Sequence, residues 1–169
     1  MLALEGRTAQ AAFRDLIAEC AKRSDTLAVT DLLVLAAIEV VRKPASLERL
    51  RARGAGMTGT VFVGDYAFVV TPAAVGGGHV GLCKELIEAG KCVVWLVAGE
   101  CEAKAVRLLR SYRVSRRVDV RRIEDFFALR ALFSSWDKTI SEQDAVRLIV
   151  ERCNELLRER ATETTISMR

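Results

Sequence analysis

GGGHVGLCKELIEAGKCVVWLVAGECEAKAVRLLRSYRVSRRVDVRRIEDF, residues 76–126, is the stretch that decides the fold. It opens on a Gly-rich turn and then changes its hydrophobic period repeatedly. In His79–Gly90, apolar side chains at Val80, Leu82, Cys83, Leu86 and Ile87 recur at helical spacing, and Gly90 supplies a stop. Lys91–Ala98 follows as an unbroken apolar run, as a strand covered on both faces requires. A further helical segment leads to Arg116–Val120, a second short strand, and Ile123–Leu132 begins another helix. Helices alternating with apolar strands predict an α/β layered domain with parallel strands.

Working outward toward the N-terminus, Ala67–Thr71 and Thr60–Val63 flank Gly64-Asp65 and predict a two-strand hairpin. Pro44 opens a short helix, Ala45–Arg53, that Gly54 ends. Thr26–Arg42 is almost continuously apolar at its centre. It suits either one or two buried strands or a helix capped at Thr30 or Asp31, and periodicity leaves both readings open. Before it, Glu5–Lys22 reads as a helix with an apolar stripe at Phe13, Leu16, Ile17 and Cys20, broken at Ser24-Asp25. Beyond Phe133, Ser141 caps a closing helix whose apolar face is Val146, Ile149, Val150, Cys153, Leu156 and Leu157. That face packs inside the domain or against a homodimer mate.

A chain of 169 residues predicts one domain, residues 1–161, with 162–169 as a flexible tail. Although 51% of its residues are hydrophobic, no apolar run reaches the ~18–20 residues that cross a bilayer. The start, MLALEGRTAQAAF, is interrupted by Glu5 and Arg7 and lacks the basic lead of a secretory signal. A soluble, cytoplasmic protein without membrane contact is the expectation. The only side-chain amides are Gln10, Gln143 and Asn154, while the 26 basic residues comprise twenty arginines and six lysines. That bias suits a thermophile, and a high-GC genome produces the arginine excess equally well. The five cysteines form no CxxC pair, which argues against zinc. Cys83, Cys92 and Cys101 sit at a helix, a strand start and a helix start, so a disulfide among them stands beside plain core packing.

The order helix, two or three strands, helix, strand, helix resembles the core of the PD-(D/E)XK nucleases, the fold of many type II restriction endonucleases. The similarity covers Ala67–Arg158, through KCVVWLV, SRRVDV, RRIEDFFAL and VERCNELL. It implies a three-layer α/β/α domain with a mixed central sheet. In that family an Asp and an Asp/Glu on adjacent strands hold Mg²⁺ beside the scissile phosphate, and a Lys two residues after the second acid serves the attacking water. In one register the resemblance assigns Asp31 and Glu39 to the metal and Lys43 to the base-like role, with Val41 where the family has its Lys. Glu5 then matches an acid that assists the metal in some relatives. In the other register Asp65 is the first acid, and Phe68, Val69 and Val70 stand where the second acid and Lys belong. The second register leads directly into the helix near His79 and implies a catalytically degenerate nuclease fold. Read without the resemblance, Asp31 is a helix N-cap and Glu39–Lys43 a helical i,i+4 pair.

Basic residues concentrate in one helix-turn-strand segment, at Arg107, Arg110, Arg113, Arg116, Arg117, Arg121 and Arg122, with Asp119 the only acid among them. Arg42, Lys43, Arg49, Arg51 and Arg53 form a second cluster around Glu48. Such clusters suit the phosphate backbone of DNA or RNA. A net charge of only +4 and the lack of interleaved aromatics argue against base stacking. Gly76, Gly77 and Gly78 before His79 offer bare backbone N–H groups to an anionic ligand. Yet no GxGxxG or Walker pattern is present, and no strong parallel strand precedes the loop. His79, the single histidine, reads as an exposed helix-capping residue or a ligand-facing one.

Three functional expectations follow. The leading one is a nucleic-acid-binding or assembly subunit on a nuclease-like fold. The others are an active Mg²⁺-dependent endonuclease and a small-ligand regulatory module.

Overall fold

The computed structural model describes residues 8–21, 26–41, 45–54 and 56–166, apart from the side chains of 16–21, 26–28, 134–138 and 160–166. The elements run α1 (Ala9–Ala21), α2 (Thr26–Glu39), β1 (Ser46–Ala52), β2 (Gly56–Val63), β3 (Tyr66–Thr71), α3 (Gly77–Glu88), β4 (Cys92–Val97), α4 (Glu102–Ser111), β5 (Val118–Arg122), α5 (Ile123–Lys138) and α6 (Glu142–Ile166). The protein is therefore α/β, with six helices and a five-strand mixed sheet among the described residues. It divides into two compact units, residues 44–126 and residues 1–43 with 127–169.

The 44–126 unit holds the whole sheet, in the order β1-β2-β3-β4-β5. β1, β2 and β3 form an antiparallel meander, whereas β3, β4 and β5 pair in parallel, joined through α3 and α4. Alternate residues of the parallel strands enter one buried cluster. Ala67 and Val69, Val93, Trp95 and Val97, and Val118 meet Val80, Cys83, Leu86 and Ile87 of α3 and Ala105 and Leu109 of α4. On the opposite face Val61, Phe68, Val70 and Leu96 are buried as well, which is why CVVWLV, residues 92–97, is apolar at every position. The Phe68 ring tilts against Phe126 at 5.7 Å between centroids.

The two crossover helices end alike. Gly90 takes the left-handed position after α3 (φ 81°), and the Lys91 N–H donates back to the Leu86 carbonyl at 3.0 Å. After α4 the Val114 N–H donates to the Leu109 carbonyl at 3.0 Å, but Arg113 occupies the left-handed position at φ 58°. An arginine at a site that favours glycine keeps a cation beside the helix's carbonyl end.

One predicted helix is a strand. Leu47 and Leu50 are spaced as on a helix, and Leu, Glu and Arg all favour one, yet Ser46–Ala52 is β1. Seven register pairs with β2, from Ser46↔Phe62 to Ala52↔Gly56, outweigh the local preference. Gly54 consequently lies in a hairpin connection rather than at a helix end.

In the other unit the open reading of Thr26–Arg42 resolves to the helix α2. Leu32 to Ile38 are all buried, so the segment is apolar around its circumference, as a central helix must be. α2 packs chiefly on α6, whose Val146, Ile149, Cys153 and Leu156 are buried. Thr8 caps α1 by accepting from the Ala11 N–H at 3.3 Å, so the helix starts later than the predicted Glu5. Phe13 and Phe127 stack at 4.7 Å. Ser141 caps α6, as read from sequence, its Oγ accepting from the Asp144 N–H at 3.1 Å. The α6 backbone stays helical to Ile166, and only 167–169 of the expected tail lie outside the described residues.

Cys83, Cys92, Cys101 and Cys153 are free thiols, so the disulfide alternative among Cys83, Cys92 and Cys101 is not realised. Among the described residues no helix is long and apolar enough to cross a membrane.

Candidate functional site

The parallel half of the sheet has two ends, and they are built differently. At the carboxyl end, where β3 and β4 finish, the space is filled by the protein's own side chains. Trp95 is fully buried; its indole N–H donates to the Thr71 hydroxyl, which donates to the Leu96 carbonyl at 3.3 Å. His79 stacks on Trp95 with ring centroids 6.0 Å apart. Its Nδ1 accepts the Gly76 N–H at 3.2 Å, so the ring caps α3 from within. Accepting there assigns the remaining ring proton to Nε2. Burial draws the His79 pKa below its usual value. The histidine is thus a capping residue as expected, but buried rather than exposed.

This geometry alters the reading of the Gly-rich turn. Contrary to the sequence expectation, the loop does leave a parallel strand, since β3 pairs with β4. However, Gly76 already donates its N–H to His79. The Tyr112 hydroxyl lies 2.7 Å from where a Cβ on Gly77 would be, so that glycine makes room for a ring laid along α3. Lys84 Nζ sits over the same ring, 5.2 Å from its centroid. Close packing accounts for Gly77 without a bound anion. Further along this end, Glu124 Oε1 accepts the Gly99 N–H at 3.4 Å.

The amino end is open. A cleft of about 690 Å³ there is lined by Tyr66, Lys91, Cys92, Arg116, Arg117 and Asp119, with Val93, Val94 and Val118 among its apolar walls. The register explains the meeting: Tyr66 pairs with Cys92 and Val93 with Val118, so the first residues of β3, β4 and β5 lie side by side. The β2–β3 turn braces it, because Cys92 N donates to the Asp65 carbonyl at 2.8 Å and Lys91 Nζ to the Gly64 carbonyl at 3.1 Å. Asp119, the one carboxylate in the lining, is paired with Arg121 Nε at 2.9 Å. Arg116 and Arg117 are exposed and have no carboxylate partner among the described residues. Tyr66 is 52% exposed and leans on Phe68, ring centroids 6.4 Å apart.

The seven arginines singled out in the sequence are all exposed, but they differ in their partners. Arg121 is taken by Asp119 and Arg122 by Glu102 at 2.7 Å. Arg107 and Arg110 are exposed on α4, and Arg113 is in the turn after it. Only Arg116 and Arg117 line the cleft. Of the second cluster, Arg49 and Arg51 are exposed on the edge strand β1 and Arg53 in the turn after it, whereas Arg42 and Lys43 lie outside the described residues. Tyr66 and Lys91 went unnoticed as site residues because each is remote in sequence from the arginine pair.

The candidate metal acids lie in the other unit. Asp31 and Glu39 are both on α2, eight residues and about 12 Å of helical rise apart, rather than on adjacent strands. Asp31 is the sixth residue of α2 and 1% exposed, so it is not the helix's N-cap. Glu39 accepts from Arg152 Nε at 2.7 Å, and the same guanidinium reaches Glu155 and Glu159. Lys43 and Glu5 lie outside the described residues. In the other register, Asp65 is in the hairpin turn and Phe68, Val69 and Val70 are buried in β3. Among the described residues no three His, Cys, Asp or Glu side chains gather as a metal ion would need.

No family model, curated protein or solved structure matches this chain.

Proposed function

We propose that the protein binds nucleic acid through the amino-end cleft of its sheet and serves as a non-catalytic binding or assembly subunit. One observation carries this reading: Lys91, Arg116 and Arg117 line a single open cleft whose one carboxylate among the described residues, Asp119, is already paired with Arg121. Guanidinium groups without protein partners are suited to phosphate oxygens, which they bind with two parallel hydrogen bonds. The cations also stand near the carbonyl ends of α3 and α4 and offset that field. Such a role accounts for Lys91, which is half-buried and bonded to Gly64. It does not require two adjacent arginines held out to solvent.

The succession of two helices, three antiparallel-paired strands, a crossover helix and a parallel strand supports the restriction-endonuclease-like fold, with its α/β/α layers. The Mg²⁺-dependent alternative draws no support from Asp31 and Glu39, one deeply buried and the other ion-paired. The degenerate register, with Phe68, Val69 and Val70 in place of acid and lysine, agrees better with a fold that binds without cutting.

The test is fluorescence anisotropy with labelled single-stranded DNA, duplex DNA and RNA, across about 50 to 200 mM salt. The wild-type protein should retain at least one of these probes with a salt-sensitive affinity. Arg116→Ala combined with Arg117→Ala should weaken binding and flatten the log–log salt slope by about 1.5. An unchanged slope would remove the cleft from the interaction.

A further inference from the structure

We infer that the cleft takes a single strand, with one base stacked on Tyr66 and the adjoining phosphates on Arg116 and Arg117; this rests on the nucleic-acid reading above. Tyr66 is the observation that points past phosphate binding. It is 52% exposed, lies at the rim of the basic cleft, and has Phe68 beside it to restrain the ring. An exposed aromatic next to phosphate-binding cations is the arrangement on which unpaired bases stack, because every base presents a π-face whatever its sequence.

Shape argues the same way. Duplex readers insert a helix or a two-stranded ribbon into the major groove, about 12 Å wide. Here the cations line a concavity of about 690 Å³, within the roughly 300–1,000 Å³ range of pockets that enclose small molecules. A recess of that size accepts an unstacked nucleotide and its neighbour. Paired bases inside a duplex are stacked on one another and leave Tyr66 without a partner. Val94, half-buried in the lining, gives a base an apolar neighbour, and the Asp119–Arg121 pair keeps the carboxylate from repelling the backbone. The modest net charge of +4 also fits a short contact of few phosphates rather than a long duplex track. Three cations predict a salt slope near −2 on a single strand.

The experiment compares Tyr66→Ala and Tyr66→Phe with wild type on a fluorescently labelled oligonucleotide, single-stranded and annealed to its complement. Each variant's thermal unfolding is followed in parallel. The expected result is tighter binding of the single strand than of the duplex, with Tyr66→Ala losing about 5- to 100-fold of single-strand affinity and Tyr66→Phe retaining it. A 2-aminopurine base in the probe should be quenched by the wild type and by Tyr66→Phe, and not by Tyr66→Ala. Equal duplex binding, with Tyr66→Ala at wild-type affinity, would overturn the stacking inference. If Arg116→Ala with Arg117→Ala still weakened that binding, the broader reading would stand. Retention of no probe by a folded wild type would overturn both.

Discussion

The carboxyl and amino ends of the parallel strands start from the same architecture and finish in opposite states. In open α/β sheets ligands usually lie beyond the carboxyl ends of the strands, where helix N-termini and loops converge. Here that end is closed by Trp95, Thr71 and His79, and the Gly-rich turn that would face a ligand instead accommodates His79 and Tyr112. The amino end, normally a structural face, carries the cleft, the solvent-facing arginines and the exposed aromatic ring. If the amino-end cleft binds as proposed, helix N-termini alone do not decide where a sheet binds.

The sharpest way to break this contrast is at Trp95. Its side chain is fully buried, hydrogen-bonded to Thr71 and stacked on His79. Trp95→Ala should cost about 3–5 kcal/mol of stability, read from urea unfolding. A loss below about 1 kcal/mol would mean that the carboxyl end is loosely filled and still a candidate pocket.

Next in size is a pH effect confined to the closed end. Burial lowers the His79 pKa in the folded state, whereas the unfolded chain titrates near the usual value. The unfolded state therefore binds the extra proton, and stability falls as pH drops below about 6.5, levelling off below the folded value. The slope reaches at most about 1.4 kcal/mol per pH unit. Because His79 is the only histidine, His79→Gln should abolish the slope between about pH 5.5 and 7. Persistence of the slope in that variant would place its origin elsewhere.

The smallest effect belongs to the open end. Arg116→Ala with Arg117→Ala, expected to weaken binding, should change unfolding free energy by no more than about 0.5 kcal/mol, because neither side chain has a carboxylate partner among the described residues. A substantial loss in denaturant unfolding would recast these arginines as structural supports for the ends of α3 and α4.

The closed end was the more legible one in the sequence. An apolar run such as Val93–Ala98, buried except for the half-buried Val94, reads as a strand covered on both faces, and the helical repeat from Val80 to Ile87 ends at a glycine that takes the left-handed position. Residues 46–52 were misread because an edge strand of good helix formers is decided by its pairing with β2, a contact that no local pattern encodes. Residues 26–39 stayed ambiguous for another reason: a helix apolar on every side has no periodicity to read. The open end was half visible. The arginines announced themselves as a run, but which of them are free depends on ion pairs to Asp119 and Glu102. Tyr66 joins them only through the register of β3, β4 and β5, across some fifty residues of chain.

Cys92 provides the most direct test, since it is an exposed free thiol lining the cleft itself. Cys101, partly exposed where β4 leads into α4, serves as the reference, while the Cys83 thiol is buried and pushed up to about 12. Iodoacetamide labelling would be followed peptide by peptide, with and without a saturating single-stranded oligonucleotide whose binding is measured in the same sample. Bound strand should slow alkylation of Cys92 several-fold and leave Cys101 unchanged. Cys92 reacting equally fast while the oligonucleotide is bound would contradict the cleft as the nucleic-acid site.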